Sequence, residues 1–195
     1  MIKHKPKIIG ICFGIRGCRR IVICHIFAGE ENTHQRADLI DMHTVSCGMA
    51  HRIRQHARRH GLPREILTSP LRRGRDVGRW LRRWGWTHRI EPGLIELDFG
   101  TWDGRPWREI AWAEVAAWQA DFAGHAPGGG ESLHQLRQRV AGVLMRLAAA
   151  DRPVLAVGHA GWMNALALHG RPGSPTAADW PPPPRHGAIR VATLL

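Results

Sequence analysis

The sequence predicts an α/β domain in which buried strands alternate with amphipathic helices. Two stretches are continuous and apolar, as central parallel strands are: RIVICHIF at 20–27 and PVLAVGH at 153–159. Between them, segments with helical spacing of apolar residues alternate with short strand-like segments. A chain of 195 residues is long enough for one sizeable core and short for two. We therefore expect a single domain over 1–195.

The elements between these two strands follow from local signals. Ser132 is a plausible N-cap for the helix that follows the glycine break HAPGGGES. That helix would bury one apolar face, formed by Leu133, Leu136, Val140, Val143, Leu144 and Leu147. The other expected elements are a helix over roughly 49–60, a strand over 64–69, a helix over 70–84, a short strand and loop in RIEPGLIELDF, and a helix over 107–122.

The charge is strongly basic, with a formal net charge of +12 and a pI near 11.3. Twelve arginines lie between His51 and Ile90, against two acids, Glu65 and Asp76. Such a cluster attracts phosphate without regard to sequence, which raises a nucleic-acid hypothesis. Because no nucleic-acid-binding motif accompanies the charge, a solvated helix face is the favoured interpretation, and a surface that attracts anionic substrates is the alternative.

The first residues of the sequence bear on the cellular compartment in which the protein works. MIKHKPKIIGICFGI resembles a secretory signal, but basic residues resume at Arg16 and no small-x-small cleavage site follows. The longest apolar run, at 8–15, is far short of the roughly 20 residues of a membrane span. The cysteine spacing fits no familiar zinc pattern, so reduced thiols are expected. These features favour a cytoplasmic protein with no membrane partner.

Three short segments carry candidate chemistry. His159 ends an apolar strand between two glycines, at the sheet edge where α/β proteins bind ligands. Arg72 and Arg73 follow another strand and open a helix, where a planar guanidinium suits phosphate. Glu96 lies between apolar residues, where partial burial suits a general acid, with Asp98 and Asp103 as alternatives. Each segment alone is weak evidence: His159 could be a strand-end histidine bonded to backbone, and the two arginines could belong to a charged helix face.

Taken together, SPLRR, ELDFGTWDG, PGGGESL and VGHAG resemble, in order and spacing, the histidine phosphatase superfamily, also called phosphoglycerate mutase-like. Within it, the α-ribazole phosphatase group has the most similar motifs. The resemblance covers residue 49 to the end of the chain. It implies a three-layer α/β sandwich with a mostly parallel central sheet, closed by a strand in WPPPPRHGAIRVATL.

The resemblance also implies a mechanism that proceeds through a phosphohistidine and requires no metal or other cofactor. By motif position, Arg73 is a phosphate clamp, Glu96 the proton donor and His159 the second histidine of the phosphate pocket. The implied ligand is a small-molecule phosphate monoester, α-ribazole 5′-phosphate of cobalamin synthesis first among them. Four tryptophans near the presumed lid could stack on the heteroaromatic base of that substrate, although core packing is the commoner use of such residues. They are Trp102, Trp107, Trp112 and Trp118.

The family's nucleophile lies in an Arg-His-Gly triplet that closes the first strand, and this chain has no triplet there. Arg59-His60-Gly61 falls at the expected end of a helix and is interpreted as a coincidence. His25 is the better candidate because it closes an apolar strand. Cys24 then replaces the phosphate-binding arginine and Ile26 replaces the glycine, which removes a positive charge and crowds the pocket.

Composition changes near Gly48: all four cysteines (Cys12, Cys18, Cys24 and Cys47) precede it and all nine tryptophans follow it. The change suggests a shifted reading frame or misassigned start before Gly48. That and a degenerate first motif with His25 as nucleophile are held as equal explanations of the missing triplet. Three functions are therefore kept, in this order: an active phosphomonoesterase, a phosphatase-fold protein that binds phosphate esters without turnover, and a basic nucleic-acid binder.

Overall fold

The computed structural model describes residues 20–25, 38–150, 152–185 and 187–193. These residues form a five-stranded sheet in the order β3-β2-β4-β1-β5, in which β5 alone runs antiparallel to its neighbour. The strands are β1 (Arg20–His25), β2 (Glu65–Thr68), β3 (Thr87–Ile90), β4 (Val154–Gly158) and β5 (Ile189–Thr193). The expected mostly parallel sheet, with its closing strand, is confirmed.

The helices match the expected order but not every boundary. They are α1 (Asp38–Arg59), α2 (Arg72–Arg83), α3 (Trp112–Ala120), α4 (Leu133–Ala148) and α5 (Ala160–Ala167). Helix α1 begins well before the expected residue 49, because a lone glycine such as Gly48 costs a helix only about 1 kcal/mol and does not stop it. The expected helix over 107–122 is instead a 3₁₀ turn at Trp107–Glu109 followed by α3, separated by the extended, buried Ile110.

Helices cover both faces of the sheet. Along β1, Ile21 and Ile23 belong to the apolar cluster formed with α4 and α5. Val22 and Cys24 belong to the opposite cluster, formed with α1 and α2. This alternation is the two-residue period of a strand buried on both sides. The protein is therefore the expected three-layer α/β sandwich. Within the described ranges, no helix combines the length and the apolar character that a membrane crossing requires.

Two loops named in the sequence motifs pack against each other beside the sheet. Gly100 has a φ of +56°, and a Cβ there would lie 2.3 Å from the Gly128 carbonyl oxygen. The Glu131 N–H donates to the Asp98 carbonyl over 2.8 Å. The glycines of ELDFG and PGGGE thus permit a backbone contact that any side chain would block. This contact fixes the loop that carries Glu96.

Candidate active site

Strand register brings the two candidate histidines to one edge of the sheet. In the parallel pair β1–β4, His25 is opposite Gly158, the residue before His159. β2 ends beside β4 at Thr68, so Ser69 and the start of α2 reach the same edge. This is the carboxyl edge, where α/β sheets bind ligands. The structure therefore brings His25, Arg73 and His159 together.

His159 is held as a neutral imidazole of defined tautomer. Its Nδ1 accepts a hydrogen bond from Arg73 Nε over 3.1 Å, so the ring proton is on Nε2, which donates to Ser69 Oγ over 2.5 Å. The residue is only 1% exposed. Burial lowers the pKa of His159 to about 3, and the charges of Arg73, His25 and Arg139 contribute further.

His25 is buried and has the opposite tautomer. Its Nδ1 lies 3.2 Å from the Arg185 carbonyl oxygen, which can only accept, so Nδ1 carries the proton. Nε2 is consequently the nitrogen with the lone pair. The backbone of His25 is fixed as well, because its N–H donates to the Ala188 carbonyl over 2.8 Å. In its neutral form, His25 presents the Nε2 lone pair that nucleophilic attack requires.

Cys24 supplies no substitute for a phosphate-binding arginine. Its side chain is fully buried in the cluster with α1 and α2. Burial raises the pKa of the Cys24 thiol to about 12, so it stays neutral. Ile26, expected to crowd the pocket, lies outside the described residues. His60, of the coincidental triplet, directly follows α1 and is exposed, before β2 rather than at the carboxyl edge.

Glu96 lies against the first turn of α5. Its Oε1 accepts hydrogen bonds from the N–H groups of Leu97, over 2.9 Å, and Trp162, over 3.2 Å. A Cβ on Gly161 would lie 2.6 Å from that oxygen, so the absence of a side chain there lets the carboxylate approach. Because His159 is the N-cap of α5, Glu96 belongs to the same edge as the histidines.

Arg139 and Glu131 hold the Glu96 loop, and sequence reasoning did not identify them. Arg139 donates to both carboxylate oxygens of Glu131, over 2.9 and 2.6 Å. It also donates to the carbonyls of Gly93, Ile95 and Glu96, over 2.9, 2.7 and 3.3 Å. No local sequence pattern predicts this role, because the carbonyls that accept from Arg139 belong to a loop more than forty positions earlier in the chain. Arg139 is a positioning residue for the Glu96 backbone.

The tryptophans divide between core and surface. Trp102 is 4% exposed and packs edge-on against Trp107 and Trp118. Trp107 and Trp112 are 61% and 73% exposed. Core packing therefore accounts for Trp102, while Trp107 and Trp112 present aromatic surface to solvent.

Two buried histidines, an arginine and a carboxylate lie at one sheet edge, an arrangement that suits phosphoryl transfer. The family model of the histidine phosphatase superfamily (branch 1) matches residues 22–191. The chain belongs to that superfamily.

Several known proteins are similar to this chain at modest sequence identity. A metal-independent phosphoserine phosphatase of Arabidopsis thaliana is 28% identical over 136 residues, which are 66% of this chain and 57% of that protein. The phosphate complex of a mycobacterial glucosyl-3-phosphoglycerate phosphatase is 28% identical, with a TM-score of 0.60 over 77% of each chain. A putative α-ribazole-5′-phosphate phosphatase of Escherichia coli, 23% identical, has a TM-score of 0.64 over 90% of each chain and shows the fold.

Replacing Arg139 by methionine is expected to lower the free energy of unfolding by about 3 kcal/mol, because Glu131 and three carbonyls lose their donor. Arg146→Met, also on α4, is the matched control. Its pair with Glu91 is 2.8 Å long but Arg146 is 58% exposed, so its loss should cost less than about 1 kcal/mol. Urea unfolding of both variants makes the comparison; equal losses would contradict the assigned role of Arg139.

Acid should destabilise the protein through His159. Below the ordinary histidine pKa of 6.5, the unfolded chain takes up a proton here that the folded protein does not take up until about pH 3. Stability contributed by the neutral ring is therefore present above pH 6.5 and lost as the pH falls. Between pH 6 and 4.5, the free energy of unfolding should fall more steeply than in His159→Gln, by up to about 1.4 kcal/mol per pH unit. Parallel curves for the two proteins would contradict the burial argument.

Proposed function

We propose that this protein hydrolyses α-ribazole 5′-phosphate, with His25 as nucleophile, Arg73 and His159 as phosphoryl ligands and Glu96 as proton donor. The observation that carries the proposal is that His25, whose Nδ1 donates to the Arg185 carbonyl, lies at the same sheet edge as His159 and Arg73.

In the first step, His25 Nε2 attacks phosphorus, a P–N bond forms and the ester P–O bond breaks. Glu96 acts as the general acid and gives a proton to the departing alkoxide oxygen, because an alkoxide is a poor leaving group at neutral pH. Arg73 supplies fixed positive charge to the phosphoryl oxygens. His159 has one ring N–H, on Nε2. It donates to Ser69 Oγ in the structure and would donate to a phosphoryl oxygen instead when substrate binds.

In the second step, water attacks the phosphorus of the phosphohistidine and the P–N bond breaks. Glu96, now a carboxylate, removes a proton from that water, which returns it to its starting state. The electron pair of the P–N bond returns to Nε2, while Nδ1 keeps its proton throughout, bonded to the Arg185 carbonyl. Inorganic phosphate leaves and the site is regenerated without a co-reactant.

Two observations support α-ribazole 5′-phosphate as the substrate. ELDFGTWDG and PGGGES resemble the α-ribazole phosphatase motifs. Trp107 and Trp112 offer exposed rings, which suit a flat heteroaromatic base. The relatives with higher identity act on other esters by their names, phosphoserine and glucosyl-3-phosphoglycerate. These three esters form the substrate panel.

A second function, binding phosphate esters without turnover, is favoured by one observation. Cys24 is neutral and buried where the family has an arginine, so the pocket has one fewer positive charge. This function predicts that the protein binds phosphate esters but releases no inorganic phosphate from them.

The test is phosphate release from the three-ester panel by the wild-type chain, by His25→Ala and by His60→Ala. We expect turnover of α-ribazole 5′-phosphate above the other esters, abolished in His25→Ala and unchanged in His60→Ala, because His60 is exposed beyond the end of α1. Substrate preference for another ester would overturn the substrate alone. Retained turnover in His25→Ala would overturn the nucleophile, and binding without turnover in the wild type would establish the second function.

Glu96→Gln should lower kcat by about 10²- to 10⁴-fold, because an amide cannot supply the proton. KM should change little, since the transferred proton acts in the transition state. Asp98→Asn is the matched control: Asp98 lies two positions away, and its Oδ1 accepts from the Gly100 N–H over 2.8 Å. We expect its kcat to stay within a few-fold of wild type in steady-state assays. A larger loss in Asp98→Asn than in Glu96→Gln would transfer the acid role to Asp98.

A further inference from the structure

A basic groove lies between α2 and the edge strand β3, apart from the residues placed in catalysis. Its lining residues are Arg75, Arg79, Arg82, His88 and Ile90, and its volume is about 410 Å³. That volume falls within the range of small-molecule sites, about 300–1,000 Å³. We call it the α2–β3 groove.

The groove faces away from the catalytic arginine. Successive helical residues are rotated by about 100°, so Arg75 points about 200° from Arg73 around α2. Arg73 bonds to His159, whereas Arg75 lines the groove with Arg79 and Arg82. These three positions, spaced four and three apart, form one stripe about 10 Å long on the helix.

Positive charge in the groove is poorly compensated. Helix α2 contains six arginines and one acid, Asp76. Asp76 lies 3.7 Å from Arg72 Nε and 2.7 Å from Arg79 Nη1, so it is shared between two cations. Arg79 is nonetheless 61% exposed. The lining that the structure describes includes no carboxylate. An anion is the ligand that this lining selects.

Arg75 provides a second, independent observation. Its Nε is buried and has no hydrogen-bond partner among the described residues. A buried donor without a partner costs free energy that an anionic acceptor would recover. An anion in the groove would recover this free energy if the Arg75 side chain turned so that Nε reached it, since the atom is closed to solvent in the structure.

His88 forms the floor of the groove and links it to the sheet. Its ring lies against Gly78, where a Cβ would come within 2.2 Å of Nε2. His88 Nε2 and Thr68 Oγ1 are 2.8 Å apart and hydrogen-bonded. Burial, with the charges of Arg82 and Arg79, lowers the pKa of His88. The ring is thus held in place, and a rigid floor distinguishes the groove from a set of mobile surface arginines.

We propose that the α2–β3 groove is a second anion site that binds a small oligophosphate, a chain of two or three linked phosphates. A stripe of three guanidinium groups over about two helical turns matches linked phosphates better than one phosphate. The same charges suit a nucleic-acid backbone, but a groove with a fixed floor favours a small ligand over an extended strand. The proposal is independent of the phosphatase substrate.

The test is isothermal titration of the full chain with methylene-bridged triphosphate, whose P–C–P bonds a phosphatase cannot hydrolyse. The groove variant is Arg79→Gln with Arg82→Gln. The control, Arg58→Gln with Arg59→Gln, removes the same charge from the last turn of α1, where both arginines are exposed. We expect 1:1 binding by wild type, a loss of tenfold or more in the groove variant, and less than a twofold change in the control.

Three results would overturn the proposal. Equal losses in both variants would show diffuse attraction to a basic surface. Wild-type affinity in the groove variant would place the triphosphate elsewhere, the catalytic edge included. If the wild-type chain binds a 12-nucleotide single-stranded nucleic acid more tightly than the triphosphate, and the groove variant loses that binding, the groove is a nucleic-acid interface. The groove variant should keep wild-type phosphatase activity, which shows that it is folded.

Discussion

The parallel pairing of β1 with β4 is the constraint on which the site depends. It places His25 opposite Gly158 and therefore next to His159. A slip of one residue would turn Ile21 and Ile23 out of the cluster with α4 and α5 and replace them by Val22 and Cys24. Since apolar helices cover both faces of the sheet, packing fixes the register, and the register fixes which imidazoles meet. Core packing and chemistry are thus specified by the same strand.

The site holds His159 neutral and orients both of its histidines through hydrogen bonds. Arg73 donates to His159, and burial keeps that ring unprotonated. The Arg185 carbonyl orients His25. Arg139 and Glu131 position Glu96 in a similar way. They fix the backbone of Glu96, from which its side chain reaches α5. In each case, a hydrogen bond from a neighbouring residue sets the position or the tautomer of a group in the site. Such groups need to move less to reach the transition state.

The sequence predicted the elements better than the contacts. Apolar runs located β1 and β4, and Ser132 forms the expected cap of α4 with Gln135, because these signals are local. The start of α1 was wrong because the composition change at Gly48 is no helix-breaking signal. Arg139 was missed because it reaches carbonyls distant in sequence. Motifs resembling a family indicated Arg73, Glu96 and His159, but the tautomers of His25 and His159 depend on Arg185 and Ser69, which only the fold brings near.

The central claim is that His25, in an altered motif, carries the phosphoryl group. The most direct measurement mixes the chain with substrate, quenches at neutral pH within one turnover, and locates the phosphoryl group by peptide mass spectrometry, with ³¹P NMR to identify the nitrogen. The account predicts a phosphoryl group on Nε2 of His25, absent from His25→Ala. Turnover with a phosphoryl group on His159 or another residue, or with none on His25, would contradict it.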